Sequence, residues 1–182
     1  MSKCATSCVR EAVQRLGRGD STLEDIYLYG KRHTDSVLAE LVECLLARPN
    51  AVKHVTLRNT QLTDETGIKL ARYVASSSTI QMFNLPFNQI GEETHLALAA
   101  ALRVNSSLRH LSLYYNQAVD PTRVEAAFVE ALRLNPYRPV HSVWWFSLDN
   151  HSTFQQLKHI ATVLGPPSML SQLRHCDRMR DR

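Results

Sequence analysis

A chain of 182 residues with 44% hydrophobic content suffices for one cooperative domain, and no apolar run approaches the length of a membrane span. The net charge of +4 sits at the ends: residues 1–22 carry four Lys or Arg against two acids, residues 174–182 carry four Arg against two, and the body holds thirteen of each. A nucleic-acid groove concentrates bases along its binding face, so the balanced body argues against nucleic acid as a partner.

From the amino terminus, Met1 to Cys8 lacks the apolar core of a secretory signal, which predicts an intracellular, cytoplasmic protein. Val9 to Leu16 reads as a helix inside an N-terminal capping segment, residues 1–22, which closes the open end of the first strand-bearing unit. The tetrapeptide Arg18-Gly19-Asp20-Ser21 matches a short integrin-recognition sequence, but its glycine and its place before a strand favour a plain turn.

Residues 23–164 carry a repeat. Apolar residues fall at relative positions one, four and six in Leu23-Ile26-Leu28, Val52-Val55-Leu57, Ile80-Phe83-Leu85 and Leu108-Leu111-Leu113, with starts 29, 28 and 28 positions apart. Positions four and six alternate with outward residues, the period of a short strand with one buried face. A polar turn comes next, then a helical pattern, clearest where Leu98, Ala101 and Leu102 share a face and matched by Ile68, Leu70, Ala71 and Val74. Ala71, Ala99 and Ala131 are small enough to bring the helices close to the sheet.

Aligning Ala101 to Asn105 with Ala131 to Asn135 requires insertions near Asp120-Pro121 and Pro136 to Pro139, which moves a fifth strand to Val140 to Trp145. Leu148 departs from the pattern there, and a last helix over 152–164 stops at Gly165-Pro166-Pro167. Residues 165–182 form a basic C-terminal tail. Because every strand reaches the next through a helix, the expected architecture is α/β: a short horseshoe solenoid of about five units, with parallel strands on the concave side and helices on the convex side. Asn88 and Asn116 at position nine can bond the backbone of adjacent turns with both donor and acceptor. Lys31 and Thr60 replace that asparagine in the first two units, which predicts looser turns there.

These units resemble the leucine-rich repeat family, in particular its ribonuclease-inhibitor-like class, through Leu57-Arg58-Asn59-Thr60-Gln61-Leu62-Thr63-Asp64-Glu65-Thr66-Gly67 and Leu85-Pro86-Phe87-Asn88-Gln89-Ile90-Gly91. A run of about five units closed by a terminal helix is similar, more narrowly, to the carboxyl domain of the tropomodulins, on unit count rather than on a residue motif. The resemblance implies a fold and a range of roles, among them enzyme inhibition, small-GTPase activation and actin capping.

Outward positions three, five, seven and eight should form the concave wall, and they are rich in aromatics. Tyr27, Tyr29, Arg58, Asn84, Tyr114, Trp144 and Phe146 are the candidate partner-binding residues, since Tyr, Trp and Arg dominate protein-binding hot spots. Phe87 and Tyr115 at position eight carry less weight, because that position can turn toward the loop. His54 and His110 stand two strands apart, too far to share a metal, and read as exposed or satisfied histidines. No phosphate loop, zinc spacing or nucleophile turn is present, so neither catalytic residue, metal nor cofactor is assigned.

Cys4, Cys8, Cys44 and Cys176 are scattered unlike a disulfide framework and read as reduced thiols. The glycosylation spacings at Asn105 and Asn150 read as helix-end polar residues. The sequence thus predicts a non-enzymatic protein-interaction module, acting as a monomer on a folded protein partner. A small-GTPase activator or another enzyme regulator, or an actin-cytoskeleton regulator, is the alternative.

Overall fold

The apolar residues of the repeat close onto one core: positions one, four and six of all four units are 0% exposed. At about 1.5–3 kcal/mol for each fully buried Val, Leu, Ile or Phe, that column is the main drive for stacking the turns. The computed structural model describes residues 5–30, 35–117, 120–136 and 142–144, all within the unit Met1–Leu148. Six strands and five helices alternate among the described residues: β1 (Ala5–Thr6), α1 (Val9–Gly17), β2 (Asp25–Tyr29), α2 (Asp35–Ala47), β3 (His54–Arg58), α3 (Asp64–Ser76), β4 (Met82–Asn84), α4 (Glu92–Leu102), β5 (His110–Ser112), α5 (Pro121–Leu134) and β6 (Ser142–Trp144). Sheet order follows chain order and every neighbouring pair is parallel.

Strands pack about 4.8 Å apart, while helices need 8–10 Å between axes, so a stack of strand–helix turns bends with its strands inside. This is the expected α/β solenoid, with strands on the concave side and helices on the convex side. Equivalent repeat positions are register partners: Asp25, His54, Met82, His110 and Ser142 form one row across the sheet. Ahead of the expected capping helix lies β1, two residues long and too short to leave a periodic signal. Lys31, Trp145, Phe146, Leu148, the helix expected at 152–164 and the tail at 165–182 lie outside the described residues.

Three sets of polar side chains tie successive turns together. Asn88 is buried in the first; its Oδ1 accepts from Thr60 N at 2.8 Å, Thr60 Oγ1 at 3.1 Å and Leu62 N at 3.2 Å, while its Nδ2 donates to Leu57 O at 2.7 Å. Asn116 repeats the pattern, accepting from Asn88 N at 3.1 Å and donating to Leu85 O at 2.9 Å. The turn at Thr60 is therefore not loosened by lacking its own asparagine: Thr60 is 0% exposed because Asn88 reaches back one turn to satisfy it.

The second set lies after the helices. Asn105 Nδ2 donates to Val74 O at 2.7 Å and Ser77 O at 2.9 Å, and its Oδ1 accepts from Leu108 N at 2.7 Å. Asn135 does the same one turn on, to Leu102 O and to Asn105 O at 2.8 Å. Asn105 is thus a buried cross-turn bridge, more than a polar helix end, and Asn150 lies outside the described residues. Tyr73 belongs to the same edge; its hydroxyl donates to Asn50 Oδ1 at 3.2 Å, and burial pushes its pKa up to about 12.

The third set caps helix starts, where unpaired amides favour an acceptor. Asp35 accepts from Thr63 N at 3.0 Å and Thr66 Oγ1 at 2.8 Å; one turn later Asp64 accepts from Gly91 N at 2.8 Å and from Thr94. Here α3 and α4 approach so closely that a Cβ on Gly67 would lie 2.8 Å from Thr94 Cγ2. Within α4, His95 is buried with Nδ1 2.6 Å from Gly91 O, and desolvation pulls its pKa below the ordinary value. In α5 the Asp120 side chain caps Thr122 N and Arg123 N, with Pro121 at the first helical position.

Before β2, Asp20 is occupied within its own turn. Its carboxylate binds Thr22 through N at 2.8 Å and Oγ1 at 2.6 Å, and Arg15 Nε at 2.6 Å. The Thr22 contact first, then Arg15, holds its pKa down at about 2.

The bridging asparagine and the buried histidine each set a measurable outcome. Asn88→Ala strands the amides of Thr60 and Leu62, so urea denaturation should show a loss of at least about 2 kcal/mol, whereas exposed Gln89→Ala should stay within about 0.5 kcal/mol. For His95 the folded pKa lies below the unfolded one, so the unfolded chain binds the extra proton and stability falls as pH drops below about 6.5. Melting temperatures measured from about pH 7.5 to about pH 5 should decline less steeply in His95→Gln than in the parent chain.

Candidate functional site

The concave wall grades from a covered floor to an open rim. On the floor, position five holds Thr56 and Ser112, both 8% exposed, and Asn84, whose Nδ2 donates to Thr56 Oγ1 at 3.3 Å. Ser112 Oγ is buried with no hydrogen-bond partner among the described residues. Tyr27 is half-buried between the two levels. In the row at position three, His54 Nδ1 lies 2.6 Å from Asp25 Oδ1, a histidine satisfied by its neighbour on β2. Among the described residues no three His, Cys, Asp or Glu converge as a metal site would require.

The rim lies where the strands end and the chain turns toward the helices. Tyr29 is 55% exposed and pairs in register with Arg58, also exposed. Arg58 lies over the Phe87 ring, 4.6 Å from its centroid, and Tyr115 stacks on Phe87 at 4.5 Å and 19°. Tyr114 meets both rings edge-on, at 5.5 Å to Phe87 and 5.4 Å to Tyr115. A guanidinium over an aromatic face and a T-shaped ring pair are favourable geometries, each worth about 0.5–1.5 kcal/mol beyond simple burial. The four side chains form one open platform, with Phe87 and Tyr115 37% and 43% exposed.

Backbone geometry sets this platform apart. Position eight is left-handed in each of the first four units: φ is +88° at Gly30, 55° at Asn59, 58° at Phe87 and 56° at Tyr115. Gly and Asn tolerate that region, whereas an aromatic there costs about 1–2 kcal/mol. In the first three units the amide stays in the ladder and holds the turn: Gly30 N donates to Arg58 O at 3.0 Å, Asn59 N to Pro86 O at 3.0 Å, and Phe87 N to Tyr114 O at 3.1 Å. In the sequence Phe87 and Tyr115 carry less weight, because position eight can turn toward the loop. The turn instead lifts both onto the rim, and the available signal is Gly30 and Asn59 at the same place in the repeat.

Of the sequence-predicted residues, the rim brings together Arg58 and Tyr114 and sets Tyr29 beside Arg58, while Tyr27 and Asn84 sit deeper. Trp144 lies in β6, but its side chain and all of Phe146 lie outside the described residues. Cys8 and Cys44 are free thiols, and burial pushes the Cys44 thiol pKa up; Cys4 and Cys176 lie outside the described residues. No helix among the described residues is long and apolar enough to cross a membrane.

No family model and no curated protein sequence matches the chain. Solved structures do match its fold. A structure titled leiomodin-1 actin-binding site 2 aligns with a TM-score of 0.69 at 18% identity, covering 97% of this chain and 99% of that one. The tropomodulin C-terminal domain of Caenorhabditis elegans aligns with a TM-score of 0.70 at 18% identity, covering 93% of this chain and 98% of that one. The fold is that of the tropomodulin C-terminal domain and of the leiomodin-1 structure, matched along nearly the whole length of both partners in each comparison.

Proposed function

We propose that this chain is an intracellular, non-enzymatic protein-binding module of the actin cytoskeleton, which engages its partner through the concave wall and its aromatic rim. One observation carries the reading: the likeness to an actin-binding site and to a tropomodulin domain runs nearly end to end in both comparisons. It favours the actin-cytoskeleton alternative over an interaction module of unspecified partner.

On the chain itself, the platform of Arg58, Phe87, Tyr114 and Tyr115 supports docking, with Tyr29 beside it and Tyr27 and Asn84 deeper in the wall. Trp144 and Phe146 belong to the same proposed surface. Exposed aromatics with a polar handle supply large contact area at low entropy cost. Phe87 and Tyr115 also occupy a backbone region that disfavours them, and strain kept at an exposed site is a reason to suspect function there.

Elongation of pyrene-labelled actin filaments tests the reading. The full chain should slow elongation in a dose-dependent way. Phe87→Asn with Tyr115→Asn places a residue tolerant of left-handed φ at both positions, so thermal stability should change by no more than about 1 kcal/mol, while binding weakens by roughly 1–3 kcal/mol for each lost ring. Elongation indifferent to a large excess of the parent chain overturns the actin assignment. Inhibition that persists unchanged in the double variant overturns the rim as the contact surface.

A further inference from the structure

The opposite edge of the sheet, where helices end and strands begin, carries its own pattern. Counting back two residues from the bridging positions Asn50, Ser77, Asn105 and Asn135 gives Arg48, Ala75, Arg103 and Arg133. One residue further on, where α3 ends in Ser76, the chain presents Val104 just past α4 and Leu134 as the last residue of α5, 60% and 52% exposed. Asn135 bonds Leu102 O and Asn105 O, so these last two turns lie directly against each other.

A base in or just past the last turn of a helix complements the helix dipole, which accounts for Arg133 within α5 and for Arg103 at the end of α4. It does not account for two large aliphatic side chains in water beside them, at a place where Ser76 serves the fold equally well. Arg103 and Arg133 are exposed and pair with no acid among the described residues. At the helix starts α3 and α4 carry Asp64, Glu65, Glu92 and Glu93 in their first turns, of which Glu92 is paired with Arg123 of α5. An acidic partner is therefore drawn toward the arginine edge and away from the acidic starts of α3 and α4.

We infer that the adjoining turns Arg103-Val104 and Arg133-Leu134 form a second docking surface, fitted to a protein segment that carries acidic and aliphatic side chains together. Carboxylates pair with the two guanidinium groups, and the aliphatic groups cover Val104 and Leu134. A nucleic-acid backbone is a poorer fit, because the neighbouring Ala75-Ser76 turn interrupts the row of bases and the aliphatic pair offers nothing to phosphate. This surface is independent of the aromatic rim and of the proposed actin assignment.

Fluorescence anisotropy with the full chain tests it, using a short fluorescein-labelled peptide that alternates pairs of glutamate and leucine. Binding should weaken by about tenfold in Arg103→Glu with Arg133→Glu, and by about tenfold in Val104→Ser with Leu134→Ser. Thermal melts establish that both variants fold. Peptides with glutamine for glutamate or serine for leucine should bind more weakly than the parent peptide. The rim variant Phe87→Asn with Tyr115→Asn should bind it as the parent chain does, which separates failure here from failure of the actin reading. The inference is overturned if the parent chain ignores the peptide, if either edge variant binds it undiminished, or if a labelled DNA duplex binds as tightly.

Discussion

A parallel sheet built one strand per turn requires that every turn find its neighbour in register, because the irregular backbone after each strand draws many of its partners from the turns beside it. Asn88 meets that constraint with a single side chain. It accepts from the preceding turn at Thr60 and Leu62 and donates to Leu57 of the same turn, while its own amide is taken by Asn116 of the next. A carboxylate could not donate and a lysine could not accept, so only an amide of this length serves both the amides and the carbonyl of the preceding turn. Burial of the aliphatic column drives the turns together, but burial alone does not choose among sliding registers; these bonds do.

The rim inherits its order from that lock. Parallel strands repeat at about 4.8 Å, and equivalent side chains on neighbouring turns are carried at nearly the stacking distance of aromatic rings. Phe87 and Tyr115 at 4.5 Å occupy the same place in successive units, and Arg58 continues the pile one turn earlier. The platform thus requires no loop of its own; it is the periodicity of the fold expressed in side chains. The same left-handed turn that suits Gly30 and Asn59 raises these rings off the sheet.

Much of this is legible in the chain because periodic burial leaves a periodic trace. Leu23, Val52, Ile80 and Leu108 mark the turns, and the dual bonding of Asn88 and Asn116 stems from amide chemistry. The features that escape have no period to betray them. Thr60 reads as a weak substitute, since a single position does not reveal that the next turn's asparagine reaches back to it. Asn105 and Asn135 align with each other, yet the bridge they make depends on how closely neighbouring helix ends approach, which is a tertiary fact. On the rim, backbone handedness has to be inferred from Gly30 and Asn59, and a Phe and a Tyr in the same place argue against the geometry they adopt.

Strand β1 is two residues long, against five in β2 beside it. It therefore covers only Asp25 and Ile26 in the register, leaving the rest of that flank to the turns. A long flat border at the first rung would offer a template on which another polypeptide could add itself, rung after rung, the route by which open sheets polymerise. A stub with a helix two residues on curtails that template at the β2 flank.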